Sequence, residues 1–253
     1  MTTMSNAIVM EHKDPTGARI GMWLFLFTEL LLFGGLFLLY AVYRSQFPED
    51  FAFAAGNLDS FMGTLNTVIL LTSSLSMALA VGATARGKRL LAGSLLSLTI
   101  VAGIAFLVNK YFEWSAKFHH GLYPNSEELL RHTPGENVFY GLYYAMTGLH
   151  GLHVIIGLLV LVVMLYFVWR TPKMVHKVVV PDSGPLKVTD GDGNVLHTQE
   201  LDHSPASARL VMLYDNHPEV TETLETRVEN AGLYWHLVDV IWIFLFPLFY
   251  LIS

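Results

Sequence analysis

Cysteine is absent from the chain. That excludes disulfides, thiolate-held iron–sulfur clusters, c-type haem attachment and any copper centre built on thiolates. Charge is scarce as well: only 14% of the 253 residues are Asp, Glu, Lys or Arg, against 53% hydrophobic ones. Soluble domains carry about a quarter charged residues, so the composition points to a chain embedded in hydrocarbon. No internal repeat and no low-complexity tract is evident, and neither is the inverted repeat or broken helix of a secondary transporter. The first apolar run is too long for a signal-peptide core, and no small-residue cleavage site follows it. It is therefore expected to stay in the mature protein.

What is present is a set of long apolar runs, at about residues 20–43, 61–84, 90–114, 137–170 and 232–252. Each reaches the ~20 residues that cross a ~30 Å hydrocarbon core at 1.5 Å per residue. Lys and Arg cluster in alternate connections. Lys13 and Arg19 precede the first run, Arg86, Lys88 and Arg89 follow the second, and Arg170, Lys173 and Lys177 follow the fourth. The other connections hold only Arg44, Lys117 and Arg131. By the positive-inside rule the N-terminus is cytoplasmic and the C-terminus outside. The expected fold is an all-α membrane protein, a bundle of five transmembrane helices. Residues 1–170 would hold helices one to four, 171–231 a polar acidic cytoplasmic loop, and 232–253 helix five.

That loop carries ten acidic residues against five Lys or Arg, and so most of the net charge of −6. Within it, Asp190-Gly-Asp-Gly-Asn194 separates two β-prone stretches at 186–189 and 195–198. A hairpin is expected there. The Asp-x-Asp-x-Asn spacing resembles the start of a calcium loop, but Val195 stands where glycine is wanted and Leu201 where glutamate is wanted. From Pro218, Val220, Leu224 and Val228 recur every fourth residue, which predicts a short amphipathic helix with proline in its first turn. Outside the membrane, His119, His120 and His132 lie near three glutamates, with no third ligand spaced to complete a metal site.

Ionisable groups inside the apolar runs need a reason, since charge is costly in hydrocarbon. Glu29 lies nine residues into the first run, near the midplane. His150 and His153 share a helical face in the fourth run, and His153 lies at a depth comparable with Glu29. An intramembrane pair of Glu29 and His153 is expected, either as a structural hydrogen bond between helices or as a proton-relay element. Glu113, His236 and Asp239 are the other intramembrane polar candidates. Asp239 is expected to face a partner helix or His236. A haem held by both His150 and His153 is excluded, because axial ligands approach from opposite sides. No catalytic or metal-binding set is expected. Span two carries Asn66, Thr67, Thr72, Ser73, Ser74 and Ser76, and span one carries Gly34-Gly35; both suit close helix contact.

Five segments together resemble a known family, subunit III of the haem–copper terminal oxidases. They are WLFLFTELLLFGG (23–35), LNTVILLTSS (65–74), KYFEW (110–114), TGLHGLHVIIG (147–157) and YWHLVDVIWIFLF (234–246). They occur in family order, one in each span, and the last two are highly specific. Seven-span family members would match from their third span onward, so the chain resembles the five-span form. The resemblance implies a non-catalytic core subunit of a proton-pumping oxidase of aerobic respiration, oxidising cytochrome c and reducing O2. It would carry no cofactor itself; haem and copper would sit on partner subunits. The implied partners are the catalytic subunit I, subunit II, small subunits and membrane phospholipids, bound in part by this chain, with no nucleic acid. Glu29 matches the family's intramembrane carboxylate and His153 its histidine partner, and the implied role is to stabilise subunit I and support proton uptake. The implied location is the bacterial cytoplasmic (inner) membrane.

Other readings remain open from sequence. A quinol oxidase or a nitric oxide reductase-associated relative would use the same fold. A stand-alone transporter gated by Glu29, or a membrane metalloenzyme built on His150, His153 and His236, belongs to other classes.

Overall fold

Among the described residues six α-helices account for most of the chain, and five of them are long and apolar enough to cross a membrane. The structure, a computed structural model, describes residues 15–170, 177–179, 186–189, 195–199 and 218–251. The helices are α1 (Pro15–Gln46), α2 (Pro48–Gly56), α3 (Ser60–Ala85), α4 (Arg89–His119), α5 (Pro134–Arg170) and α6 (Pro218–Tyr250). All the spanning helices begin before the apolar stretches read from sequence, because hydropathy marks only the hydrocarbon-buried part and the caps lie outside it.

Those caps are chemically explicit. Asp59 accepts the backbone N–H groups of Phe61 and Met62 at 3.0 and 3.2 Å, opening α3. At the start of α5 the Thr133 hydroxyl accepts the Glu136 N–H at 3.4 Å and donates to the Glu136 carboxylate at 3.2 Å, with Pro134 in the first position of the helix. Two glycines end helices in the left-handed conformation. Gly87 (φ +68°) closes α3, with the Lys88 N–H bonded to the Ala83 carbonyl. Gly121 (φ +69°) closes α4, with the Leu122 N–H on Lys117. Both are Schellman endings, which L side chains disfavour.

Two features depart from the sequence expectation. The outer connection after α1 contains α2, whose Pro48, Glu49 and Asp50 make an ordinary helix start. It buries Phe51 edge-on against Tyr40 and Phe139. The amphipathic helix from Pro218 is not separate but runs without a break into the fifth span. Its packing explains this: Val228 is fully buried, Gly232 lies against Met77 and Val81 of α3, and Glu229 accepts two bonds from Arg19 of α1 at 2.8 and 3.0 Å. Between the fourth and fifth spans lie three short strands, β1 (Lys177–Val179), β2 (Leu186–Thr189) and β3 (Val195–Gln199), in an antiparallel sheet of that order. Leu186 pairs with Gln199 and Lys187 with Thr198, so the expected hairpin forms. Residues 190–194 and 201, where the calcium-loop comparison falls, lie outside the described residues.

In the bundle, α3 packs on α4 and α6, and α5 packs on α4 and α6. These four make a closed ring, and α1 lies outside it against α5 and α6. Trp235 of α6 sits where the ring closes, with no exposure. Its indole fills a slot left by two glycines. A Cβ at Gly103 of α4 would come within 2.7 Å of the ring, and one at Gly157 of α5 within 3.0 Å. Its N–H donates to Ser73 of α3 at 3.0 Å. A leucine at Gly103 is expected to cost about 1–3 kcal/mol by overpacking. Gly151→Leu, where nothing lies within 4 Å of the added Cβ, should cost far less. Thermal midpoints of the two purified variants in mild detergent would check the contrast.

Candidate functional site

The six intramembrane candidates separate into four places. Glu29 and His153 meet. The imidazole Nε2 lies 2.9 Å from Glu29 Oε2, and Nδ1 lies 2.8 Å from the Leu149 carbonyl oxygen one turn back on α5. A carbonyl only accepts, so Nδ1 must carry a proton and donate it. One proton then remains for the 2.9 Å contact. It sits either on Glu29, donated to a neutral ring, or on Nε2, donated to a carboxylate. Both arrangements have zero net charge, which is what a hydrocarbon setting tolerates.

The pair is framed by aromatic side chains. Phe33 meets the His153 ring edge-on at 5.4 Å. Tyr234 donates to the His153 backbone carbonyl at 3.2 Å and stacks on Phe25. Enclosure is incomplete, since the Glu29 and His153 side chains keep 15% and 10% of their surface exposed along the α1–α5 seam. Whatever lies beside that seam touches the pair.

His150 does not join it. One helical turn away from His153, it points into the ring, fully buried between Phe106 and Trp242 at centroid distances of 5.6 and 5.4 Å. Neither of its nitrogens meets a partner among the described residues. His236 and Asp239 are likewise not joined by a hydrogen bond. His236 Nδ1 shares a 2.7 Å hydrogen bond with Ser74 of α3. Asp239 is buried, and neither carboxyl oxygen has a hydrogen-bond partner among the described residues.

Glu113 anchors a constellation that sequence reasoning missed. Its Oε1 accepts from the hydroxyls of Tyr143 and Tyr250 at 2.7 and 2.6 Å, and its Oε2 from Lys110 at 3.0 Å. Lys110 also reaches both tyrosine oxygens, at 3.2 and 2.8 Å, and lies 5.2 Å from the Trp242 ring. The charged pair is almost fully enclosed, with 9% and 3% of the side chains exposed. The available signal was the Lys-x-x-Glu spacing within KYFEW, which places both charges on one face of α4. This network ties α4, α5 and α6 together in an almost fully enclosed setting, so it reads as structural. Span-two polar side chains behave as helix glue: Thr67 accepts from Trp242 at 3.1 Å, Asn66 from Asn109 at 3.0 Å, and Ser76 and Thr99 meet at 2.7 Å. Among the described residues, no group of three or more His, Asp or Glu side chains could hold a metal ion.

Comparison with known proteins gives this bundle its family. The profile of cytochrome c oxidase subunit III matches residues 5–176. The chain belongs to that family. It is 29% identical to cytochrome c oxidase subunit 3 of Thermostichus vulcanus over 252 residues, covering 98% of this chain and 93% of that protein. It is 25% identical to cytochrome bo(3) ubiquinol oxidase subunit 3 of Pseudomonas putida, covering 96% and 89%. Heme-copper oxidase subunit I+III of Aeropyrum pernix is 28% identical over 239 residues, which are 92% of this chain and 22% of that longer protein. With five helices able to span a bilayer, this subunit III relative is a multi-pass membrane protein.

Removing one member of the Lys110–Glu113 pair leaves an uncompensated buried charge, which typically costs about 3–5 kcal/mol. Glu113→Ala should therefore lower the unfolding midpoint sharply. The double change Lys110→Met with Glu113→Leu should recover most of that loss, as denaturation of the purified variants would show.

Proposed function

We propose that this chain is the non-catalytic subunit III of a proton-pumping haem–copper terminal oxidase in a bacterial cytoplasmic membrane. It packs on the haem- and copper-bearing subunit I together with subunit II and smaller subunits, with phospholipid at its surface. It stabilises subunit I during turnover and supports proton uptake from the cytoplasmic side. The N-terminus lies in the cytoplasm, and residues 171–231 form a polar cytoplasmic extension between the first four helices and the fifth. One observation carries the reading: the Glu29–His153 contact, 2.9 Å long and open on one edge, in a chain of this family. A partly exposed carboxyl–imidazole pair holding a single proton at mid-membrane suits a surface that faces another protein better than one that faces lipid.

Cytochrome c is the proposed electron donor of the complex, after the Thermostichus vulcanus relative. The similarity to a ubiquinol oxidase subunit 3 supports a second reading, in which the donor is a quinol. The donor is set by other subunits, and the geometry of this chain serves either.

Glu29→Ala is expected to leave assembly largely intact while shortening the working life of the oxidase during turnover. Glu29→Gln keeps a hydrogen bond to Nε2 but fixes its direction, so it should share the shortened life. An unchanged lifetime in both variants, at normal subunit stoichiometry, would refute the role given to the pair. Trimming residues within 180–215 should spare assembly, since the family segments lie in the spanning helices. Loss of the trimmed subunit from the purified complex would count against that division of the chain.

A further inference from the structure

Arg44 stands in the last turn of α1, on the side of the bundle that bears few cations. Its side chain is exposed and makes no hydrogen bond or ion pair with the described residues. It borders an open cavity of about 350 Å³ where the end of α1 meets the start of α2 and the last turns of α6. Tyr40, Ala41 and Ser45 of α1, Pro48 of α2 and Leu248 of α6 complete the lining.

The floor of this cavity is fixed. Tyr40 is 1% exposed, and its ring meets Phe51 and Phe249 edge-on at 5.4 and 5.1 Å. Its hydroxyl donates to the Leu248 carbonyl. Ser45 donates its hydroxyl proton to the Val42 carbonyl at 2.7 Å, within its own helix. Ala41, Pro48 and Leu248 have no side-chain donor. Arg44 is therefore the one lining side chain with donors left to give, beside walls that are apolar or already bonded.

Depth narrows what fits. At 1.5 Å per residue Arg44 lies about 22 Å along the helix from Glu29, which the sequence places near the midplane. Half of the hydrocarbon core is ~15 Å, and half of the bilayer with its headgroups is roughly 20–22 Å. The guanidinium thus sits at the level of lipid phosphates, and Tyr40, one turn deeper, at the level where acyl chains begin. A guanidinium forks onto two oxygens of a phosphate. A free anion would meet that one fork and no second donor, whereas a phospholipid also lays a chain along the apolar wall.

We propose that this cavity seats one phospholipid of the outer leaflet, with its phosphate on Arg44 and the start of an acyl chain against Tyr40, Ala41 and Leu248. The inference rests on the membrane topology proposed above and goes beyond lipid at the general surface by naming one site. A lipid held there braces the outer end of α1, the spanning helix with the smallest buried share.

Membranes carrying the tagged full chain in its complex are given a phosphatidylglycerol with a diazirine at the start of one acyl chain. After irradiation, adducts on the chain are mapped by mass spectrometry. The exposed strip at Val101, Ile104 and Val108 of α4 is the internal reference for bulk lipid. Labelling over residues 40–48 and at Leu248 should exceed that reference. Arg44→Gln should lower it about tenfold, the loss of one charge-assisted contact. Arg131→Gln, at an exposed arginine elsewhere on the outer side, should leave it unchanged. A diazirine diacylglycerol, which lacks the phosphate, should label the site no more than the reference. Should Arg44→Gln fail to accumulate, Ala41→Phe, which fills the cavity from an exposed position, should give the same loss.

Labelling no higher than the reference, or indifferent to the variant, would overturn the seat. So would labelling abolished by inorganic phosphate, which would make it a site for a free anion. Topology is read separately with Glu49→Cys, a single thiol in a chain that has none. It should react with an impermeant maleimide in intact cells. If it reacts and the lipid test fails, this inference falls and the proposed topology stands. If it does not react, the topology falls and the outer-leaflet assignment with it.

Discussion

Trp235 is where four helices become one body. A large indole is placed at the ring's centre, and α4 and α5 come close enough to grip it only because they present Gly103 and Gly157. The indole N–H must also find an acceptor away from water, and Ser73 on α3 supplies it. Packing and hydrogen bonding are thus solved at one point and by all four ring helices. Everything else in the bundle is arranged around that ring, including the outlying α1 and the pair that α1 carries.

In hydrocarbon the polar groups take over the specifying role that hydrophobic burial has in water. Lys110, Glu113, Tyr143 and Tyr250 fix the relation of α4, α5 and α6 towards the C-terminal end of α6. Ser74 with His236 and Thr67 with Trp242 fix α3 on α6. Glu29 with His153 fixes α1 on α5. The first network is closed and internal, whereas the last keeps an exposed edge. That difference in enclosure, more than any difference in residue type, separates the structural charges from the candidate functional ones.

Much of this was legible in the sequence. The spans follow from hydropathy, and depth along two helices sufficed to place Glu29 near His153. The hairpin at 186–199 was marked by its Gly-rich turn. The misses have specific causes. Reading the 218–228 repeat as a separate helix ignored the lack of any breaker before Gly232. The Thr-Pro-Gly-Glu run at 133–136 was a local signal for the start of α5 that hydropathy overrode. His150 and His153 share a face by spacing, yet three residues turn a helix by about 60° short of a full turn. That is enough to send one ring into the core and the other to α1. Tyr143 and Tyr250 were invisible as partners of Glu113, because their hydroxyls converge only through the tertiary packing of three helices.

The most direct test of the account is a reduced-minus-oxidised spectrum of whatever co-purifies with the gently isolated, tagged chain, together with the identity of those partners. A-type haem bands and a large multi-span catalytic subunit are expected. A colourless chain with no such partner, or haem borne by this chain alone, would contradict it.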